Sequence, residues 1–397
     1  MIAAWRGQVR PKPLFFLQGA RMNDRAPGVF GNESSACGVR PLSGSSTSIA
    51  ALVGHLEAGE PRRIMTWSEF NENTSMADEG GRAADSGGAR SPYLADAVSG
   101  WFANGGGACW IVGAGQDGSV AGYEAALASL DPEVNIVVTP DLWEGGDDGA
   151  AIARILARNC AAAPNRMALL HTAKDADAAA VPKLLGLNEE EAQYTTVYYP
   201  WLSVSGVSQG ESRLIPPCGH VAGTWARTDA ERGDDKALAH VALRRGTRLQ
   251  RRLTAAEQGE LNHMGVNCLR AFPGQGTLIW GARTLSQDSD WRYLYVRRLA
   301  GHLTASISSE TRWAAFERND ERLRAAVRAN VTSFLMSKWR TGALLGKNPE
   351  DSFHVICDES NNPPQTAQKS LAIHVGFAAL RSAELMSIDI VHQHPAE

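Results

Sequence analysis

The stretch NCLRAFPGQGTLIWGARTLS, residues 267–286, is the part of the sequence that decides the fold. Two apolar segments, 268–272 and 277–280, contain the β-branched and aromatic residues that favour strands. Between them stand Pro273, Gly274 and Gly276, which are typical of a chain reversal. The stretch therefore predicts a β-hairpin.

Helices are predicted on both sides of this hairpin. Before it, Thr254 and Glu257 form a Thr-x-x-Glu capping box, which indicates the first turn of a helix. After it, residues 293–307 place Val296, Leu299 and Leu303 on one helical face. We therefore expect the C-terminal half of the chain to be built around the hairpin.

Length and composition set limits on the class of protein. A chain of 397 residues exceeds the usual size of a single core, so two domains are expected. The net charge is −4 and basic residues do not cluster, which argues against nucleic-acid binding. The six cysteines include no Cys-x-x-Cys pair, which argues against a zinc site. No apolar run approaches the ~18 residues of a membrane span, so we expect a protein made in the cytoplasm.

Strands and helices alternate through the first half. Strands are predicted at 49–54, 108–112, 134–139 and 167–171, with helices at 92–102, 123–130 and 150–160 between them. This order predicts an α/β domain with an open, largely parallel sheet. A long helix at 321–340 and strands at 353–357, 371–377 and 385–391 predict a helix-rich C-terminal domain, α+β in type, with extended terminal strands.

Four further short sequence blocks are found along the chain besides the hairpin. They are IPPCGHVAG (215–223), ARTDAERG (226–233), DWRYLYVRRL (290–299) and DESNNPP (358–364). With residues 267–286, they resemble the tail sheath proteins of contractile phages and of phage-tail-like injection systems. The resemblance covers residue 198 to the C-terminus well and 27–141 more loosely, where APGVF (26–30) is similar to a segment near the start of sheath proteins.

This resemblance implies a structural subunit that polymerises helically around an inner tube and contracts to drive the tube through a target envelope. Baseplate and terminal cap proteins would be further partners, and the site of assembly would be a phage tail or a tail-like injection particle. Terminal strands would join neighbouring subunits by strand addition. The residues that it assigns to these strand arms are Val29, Phe30, Leu385, Met386, Ile388 and Ile390.

The polar face of the 321–340 helix carries Arg322, Arg324 and Arg328, which we interpret as a possible contact with the inner tube. The expected domains are an N-terminal arm (1–35), an α/β domain (36–205), a C-terminal sheath domain (206–370) and a C-terminal strand arm (371–397). The first 21 residues are either part of a disordered arm or a product of start-codon choice, with Met22 as the true start.

One glycine pattern suggests a different function. Gly113, Gly115 and Gly118 form a G-x-G-x-x-G, followed by a helix, a strand and Asp141, which is the spacing of a nicotinamide-dependent oxidoreductase. Asp117 would place a carboxylate inside the phosphate loop, and several residues separate Gly118 from the helix. We therefore favour a structural β-α-β unit. A non-contracting shell protein is the second alternative.

Four weaker patterns do not predict a site. GALLGKN (342–348) lacks the hydroxyl residue of a phosphate loop, and DSGG (85–88) lacks support for an oxyanion hole. Cys218 and His220 are expected on opposite faces of an extended segment. His392 and His394 lack a third metal ligand. We expect no catalytic residue, no cofactor and no metal.

Overall fold

The computed structural model describes residues 42, 44–74, 93–144, 148–205, 212–233, 236–244, 248–363, 370–379 and 385–393. The strands in these ranges are β1 Ala50–Gly54, β2 Arg62–Ile64, β3 Cys109–Gly113, β4 Ile136–Val138, β5 Met167–His171, β6 Thr195–Tyr199, β7 Leu202–Ser205, β8 Ser212–Ile215, β9 Val241–Ala242, β10 Arg248–Leu249, β11 Val266–Phe272, β12 Gly276–Ile279, β13 Phe353–Ile356, β14 Ser370–Ala378 and β15 Leu385–Gln393.

The helices of the same ranges are α1 Trp67–Thr74, α2 Leu94–Ala103, α3 Val120–Ala128, α4 Gly149–Ala161, α5 Val181–Leu185, α6 Glu189–Ala192, α7 Cys218–Arg232, α8 Ala255–His263, α9 Leu294–Glu310, α10 Glu321–Arg340 and α11 Pro349–Ser352. Two short 3-10 helices, Ala178–Ala180 and Arg312–Phe316, lie before α5 and after α9.

The main sheet has nine strands in the order β2-β3-β1-β4-β5-β6-β11-β12-β9. The six strands from β3 to β11 are parallel, whereas β2 at one edge and β12 and β9 at the other are antiparallel to their neighbours. Strands β1, β4, β5 and β6 are buried at every position, as expected of parallel strands covered on both faces. The predicted α/β class and largely parallel sheet are confirmed.

The stretch 267–286 forms the predicted hairpin. Strands β11 and β12 pair antiparallel, with Leu269 opposite Ile279 and Phe272 opposite Gly276. Strand β11 also pairs parallel with β6, so the hairpin joins the parallel part of the sheet to its antiparallel end. The capping box before it is present, because Glu257 donates its N–H to Thr254 Oγ1 at 3.2 Å and accepts the Thr254 N–H at 2.8 Å.

Two hydrophobic cores divide the molecule. The first runs from Ala50 to Leu294 and the second from Tyr295 to Ile390. The expected boundary at 205/206 falls inside the first core, because β11, β12 and β9 complete the sheet that β1 begins. The expected boundary at 370/371 falls within β14, whose Leu371 and Ile373 belong to the second core. Neither boundary coincides with the division between the cores.

Helix α7 replaces the extended segment that was expected around Cys218 and His220. It begins at Cys218 directly after Pro217, since proline is tolerated at the start of a helix. A Cβ on Gly219 would lie 2.2 Å from the Ala97 carbonyl oxygen, and one on Gly223 would lie 2.3 Å from that of Trp101. These glycines therefore allow α7 to lie directly against α2 rather than forming a turn.

The helix also corrects the expected placement of Cys218 and His220. Both lie in the first turn of α7 and both are buried, rather than on opposite faces of a strand. Burial raises the pKa of the Cys218 thiol, which opposes the thiolate that a nucleophile needs.

Candidate assembly site at the C-terminal sheet

The second core ends in a three-stranded antiparallel sheet, β13-β14-β15. Leu371, Ile373 and Val375 of β14 face the core, together with Ile388 and Ile390 of β15. Among the described residues, β13 and β15 each pair with a strand on one side only. Both outer strands therefore have an unpaired row of backbone groups, which is the feature that strand addition uses.

The predicted C-terminal arm is paired within its own chain. Ile388 lies opposite Val375 and Ile390 opposite Ile373, and their side chains are 7% and 5% exposed. Leu385 and Met386 belong to the same strand, opposite Ala378 and Phe377. The strand therefore contributes to the second core of its own chain. Val29 and Phe30 lie outside the described residues.

The segment before β1 crosses from one core to the other. The Ser45 N–H donates to Ser306 Oγ of α9 at 3.0 Å, and Ser45 Oγ lies 3.1 Å from the same oxygen and 3.4 Å from His302 Nδ1. On its other side, Asn165 Nδ2 donates to the Ser46 carbonyl at 2.9 Å. Residues 45 and 46 therefore bridge α9 and the loop that precedes β5.

Helix α9 joins the two cores through a buried ion pair. Arg298 of the DWRYLYVRRL block pairs with Asp229 of the ARTDAERG block, with the two side chains 6% and 4% exposed. The Arg298 guanidinium also lies over the Trp225 ring, 4.3 Å from its centroid. A Cβ on Gly301 would lie 2.3 Å from the Pro164 carbonyl, so the helix contacts the first core at backbone distance.

Arg297, the neighbouring arginine, is held mainly by aromatic rings. Its guanidinium lies between Tyr194 and Trp291, at 4.6 Å and 4.2 Å from their centroids, and donates to Gln193 Oε1 at 3.0 Å. Burial lowers the pKa of this guanidinium. Two of the five sequence blocks that carry the resemblance, 226–233 and 290–299, thus contact each other through the Arg298–Asp229 ion pair.

The DESNNPP block supports the C-terminal sheet. Asn362 accepts the Ala372 N–H at 2.6 Å and donates to the Ala372 carbonyl at 2.9 Å. Asn361 donates to the carbonyls of both Ile356 and Ala372. The two amides therefore tie the loop after β13 to the first part of β14.

The three arginines of α10 do not form one exposed face. Arg324 lies 3.5 Å from Glu321 and donates to Asn319 Oδ1 at 3.1 Å, and Arg328 donates to the Cys357 carbonyl at 2.7 Å. Arg322 is exposed. Residues two apart on a helix lie about 200° apart around its axis, which explains why Arg322 is separated from the other two.

The glycine-rich turn after β3 is filled by the chain itself. A Cβ on Gly113 would lie 2.2 Å from the Glu57 carbonyl oxygen, and one on Gly118 would lie 2.2 Å from His55 Nε2. The loop after β1 thus occupies the space beside these glycines. Their small size serves the packing of this loop, as the structural interpretation expects.

Asp141 stands at the carboxyl ends of β1 and β4 and is fully buried. Its carboxylate accepts the backbone N–H of His55 at 3.2 Å and that of Tyr93 at 3.0 Å. Burial, followed by the Asp141 charge, raises the pKa of the Tyr123 hydroxyl. Asp141 therefore holds two loops of the first core.

The remaining patterns are placed as follows. Residues 342–348 follow the end of α10, where Gly342 has φ of +78°. His392 belongs to β15, whereas residues 85–88 and His394 lie outside the described residues. The described ranges contain no group of three potential metal ligands. No helix along the described part of the chain is long and apolar enough to cross a membrane.

Two family models match adjacent parts of the sequence. The model of the phage tail sheath protein central domain matches residues 119–285, and that of the phage tail sheath C-terminal domain matches residues 286–391. Together they cover well over half of the chain. It belongs to the contractile tail sheath family. The border between the two matches lies close to the division of this sheath chain into its two hydrophobic cores.

Two phage proteins are similar to part of this sheath chain. The tail sheath protein of Vibrio phage KVP40 is 30% identical over 158 residues, which are 38% of this chain and 22% of that protein. The tail sheath protein of Salmonella phage ViI is 27% identical over 167 residues, 41% of this chain and 25% of that protein. The sheath chain therefore matches only about a quarter of the length of these relatives.

Solved structures are similar over nearly the whole sheath chain. The sheath of an extracellular contractile injection system, the PVC sheath complex in its contracted state, has a TM-score of 0.72 at 26% identity, covering 92% of this chain and 97% of that one. The contracted helical sheath of the anti-feeding prophage has a TM-score of 0.72 at 26% identity, covering 91% and 97%. Both cores of the sheath chain are therefore shared with these subunits.

Proposed function

We propose that this chain is a structural subunit of a contractile sheath, which polymerises helically around an inner tube and contracts to drive the tube through a target envelope. The observation that carries the proposal is its likeness, over nine-tenths of its length, to sheath subunits of two contractile particles in their contracted state. The chain acts by assembling rather than by catalysing a reaction.

An open helical polymer needs an interface that does not close on itself. The C-terminal sheet supplies suitable surfaces, since β13 and β15 each have an unpaired edge in the described chain. We propose that neighbouring subunits meet here by strand addition, with Val29 and Phe30 from one terminus and Leu385, Met386, Ile388 and Ile390 from the other. A neighbour's β15 would meet the same β14 residues as the chain's own β15 does, so exchange would preserve the register.

Contraction of such a polymer requires no nucleotide if the extended assembly is metastable. The stored free energy is then a difference in interface burial between two arrangements, and a trigger lowers the barrier between them. The partners of this assembly would be an inner tube protein, a baseplate and a terminal cap. We place its synthesis in the cytoplasm and its assembly in a phage tail or a tail-like injection particle.

We propose that Arg322, one of the three arginines of α10, makes the contact with the inner tube. Arg322 is exposed, whereas Arg324 and Arg328 bind groups of their own chain. We expect Arg322→Glu to weaken co-sedimentation of the sheath with its inner tube while the melting temperature stays unchanged. Arg324→Glu is the matched comparison, and it should lower the melting temperature instead. Normal tube binding by the Arg322 variant would contradict a contact between α10 and the inner tube.

Electron microscopy of the purified protein tests the main proposal. We expect long helical tubes or sheath-like fragments, because the interface does not close. A chain truncated after residue 384 lacks β15 and is expected to form none. A stable monomer at every salt concentration, or a closed ring of fixed size, would count against a sheath subunit.

A further inference from the structure

A small cavity lies where helix α9 packs against the first core. Its wall includes Trp225 of α7, Arg297 and Arg298 of α9, and Asn135 and Asn165, which precede strands β4 and β5. The cavity has a volume of about 10 Å³, which is about the space that one water-sized particle needs. We call it the seam cavity, and its size excludes polyatomic ligands such as phosphate or a nucleotide.

Two residues of this wall carry buried N–H donors without an acceptor. Trp225 and Arg297 are only 1% and 7% exposed. Among the described residues, nothing accepts a hydrogen bond from Trp225 Nε1 or from Arg297 Nε. A buried donor without an acceptor is costly, so such groups are normally satisfied by the protein, by water or by an ion. One acceptor in the seam cavity would serve both donors.

Arg297 also brings a buried positive charge to the cavity. Its guanidinium lies between the rings of Tyr194 and Trp291 and donates to an amide oxygen, and all of these groups are neutral. Within the described ranges, no carboxylate forms an ion pair with it, and Asp229 is paired with the neighbouring Arg298. Arginine stays protonated in proteins, so this side of the cavity is positive.

Two acceptor atoms of the wall are already engaged. Asn135 Oδ1 accepts the Ile49 N–H at 3.2 Å, and the Asn165 carbonyl accepts a hydrogen bond from Asn135 Nδ2 at 3.3 Å. A water molecule would accept from the two free donors but would leave the guanidinium charge uncompensated. A monovalent anion would do both, and buried charges in proteins are normally paired. The chemistry of the wall therefore favours an anion over water.

We propose that the seam cavity binds one chloride ion, which accepts hydrogen bonds from Trp225 Nε1 and Arg297 Nε and offsets the Arg297 charge. Chloride is a monatomic anion and is only slightly larger than the water molecule for which the cavity has room. Trp225 belongs to the first core, and Arg297 to the helix that joins the two cores. The ion therefore fastens α7 to α9. This site does not depend on the role of the chain in a sheath.

Two measurements on the full-length protein test the site. The NMR linewidth of chloride increases when the ion exchanges with a site on a slowly tumbling protein, and we expect an increase that saturates and that bromide displaces. In thermal unfolding, sodium gluconate replaces sodium chloride at equal ionic strength, because gluconate is too large for the cavity. The melting temperature should be roughly 2 °C higher in chloride, the effect of a ligand at about ten times its Kd.

Two variants and a control make the test specific. Arg297→Met removes both the charge and the Nε donor, so it should abolish the saturable linewidth and the difference between the two salts. Trp225→Phe keeps an aromatic ring but removes one donor, and it should weaken chloride binding roughly tenfold. Arg252→Met removes an exposed arginine and should retain both responses in full.

The outcomes that would overturn the chloride site are distinct. If the unaltered chain gives no saturable linewidth, the cavity holds water only. If Arg297→Met responds to chloride as the unaltered chain does, the ion binds elsewhere. If the Arg297 variant fails to fold, Trp225→Phe decides, and chloride binding as tight as in the unaltered chain contradicts the site.

Discussion

Gly219 and Gly223 let helix α7 approach helix α2 so closely that no side chain fits between the two backbones. We expect Gly219→Ala to lower the free energy of unfolding by about 2 kcal/mol, because overpacking outweighs the better helix propensity of alanine. Chemical denaturation followed by circular dichroism measures this change.

The matched control for this variant lies in α8. Gly259 is also inside a helix, but a Cβ there meets nothing within 4 Å. Gly259→Ala should therefore raise the stability by about 0.8 kcal/mol, since only the propensity changes. Equal effects of the two substitutions would contradict the close helix contact.

The buried pair of Arg298 and Asp229 gives a second prediction for single residues. Asp229→Asn leaves the Arg298 charge without its carboxylate in a buried site, so we expect a loss of about 3 kcal/mol in the free energy of unfolding. Glu231→Gln breaks the Arg244–Glu231 pair, whose side chains are both 56% exposed, and should cost less than about 1 kcal/mol. Similar losses of unfolding free energy in the two variants would show that burial does not determine how much the Arg298–Asp229 pair contributes to stability.

Local signals at the residue scale were readable from the sequence. The box of Thr254 and Glu257 depends only on residues three positions apart. The role of Gly219 depends on Ala97, which lies far away in the sequence. The close contact between α7 and α2 could therefore not be predicted from the local sequence.

Strand β15 is the element whose prediction matters most for assembly. Its Ile390 is buried in the second core, whereas Val391, the next residue, is 48% exposed on the outer face. We expect Ile390→Ala to cost about 3 kcal/mol and to lower the melting temperature, because it leaves a cavity beneath the sheet. Val391→Ala should change the melting temperature little.

This comparison separates two arrangements of the strand. If β15 pairs with its own chain, the Ile390 variant is destabilised even when it is dilute and unassembled. An isolated subunit whose melting is unaffected by Ile390→Ala would show that the strand belongs to a neighbour's sheet.

Element types were easier to predict than their surroundings. The hairpin at 267–286 and the helix after it follow from period, turn residues and capping. The surroundings of α10 were harder to predict. The helical pattern of apolar residues identifies the buried side of the helix, but it does not say which groups contact the polar side. The helical period alone would have separated Arg322 from Arg324, a signal that grouping by charge overlooked.

For the whole molecule, the oxidoreductase alternative makes a direct prediction. Because the loop after β1 fills the glycine-rich turn, millimolar NAD should leave the melting temperature unchanged. Thermal-shift measurement with and without the dinucleotide checks this. A shift that disappears in Gly115→Ala would favour the oxidoreductase instead.

The division into cores was the least predictable property. Local periodicity identified β1, β3, β4 and β5, but nothing in it says that β11 and β12 return to the same sheet after the intervening segment. That pairing joins Val266 to Val197 across a long separation. The first core therefore extends past the boundary expected at 205/206.

The position of the second core along the chain also orders events on the ribosome. All residues of the first core, up to Leu294, are synthesised before those of the second core, which begin at Tyr295. Domains generally fold in the order in which they are synthesised. The second core cannot be completed until Ile390 has been synthesised. The sheet that is proposed to link subunits therefore folds last. A nascent chain is thereby kept from joining a growing polymer before its translation is nearly finished.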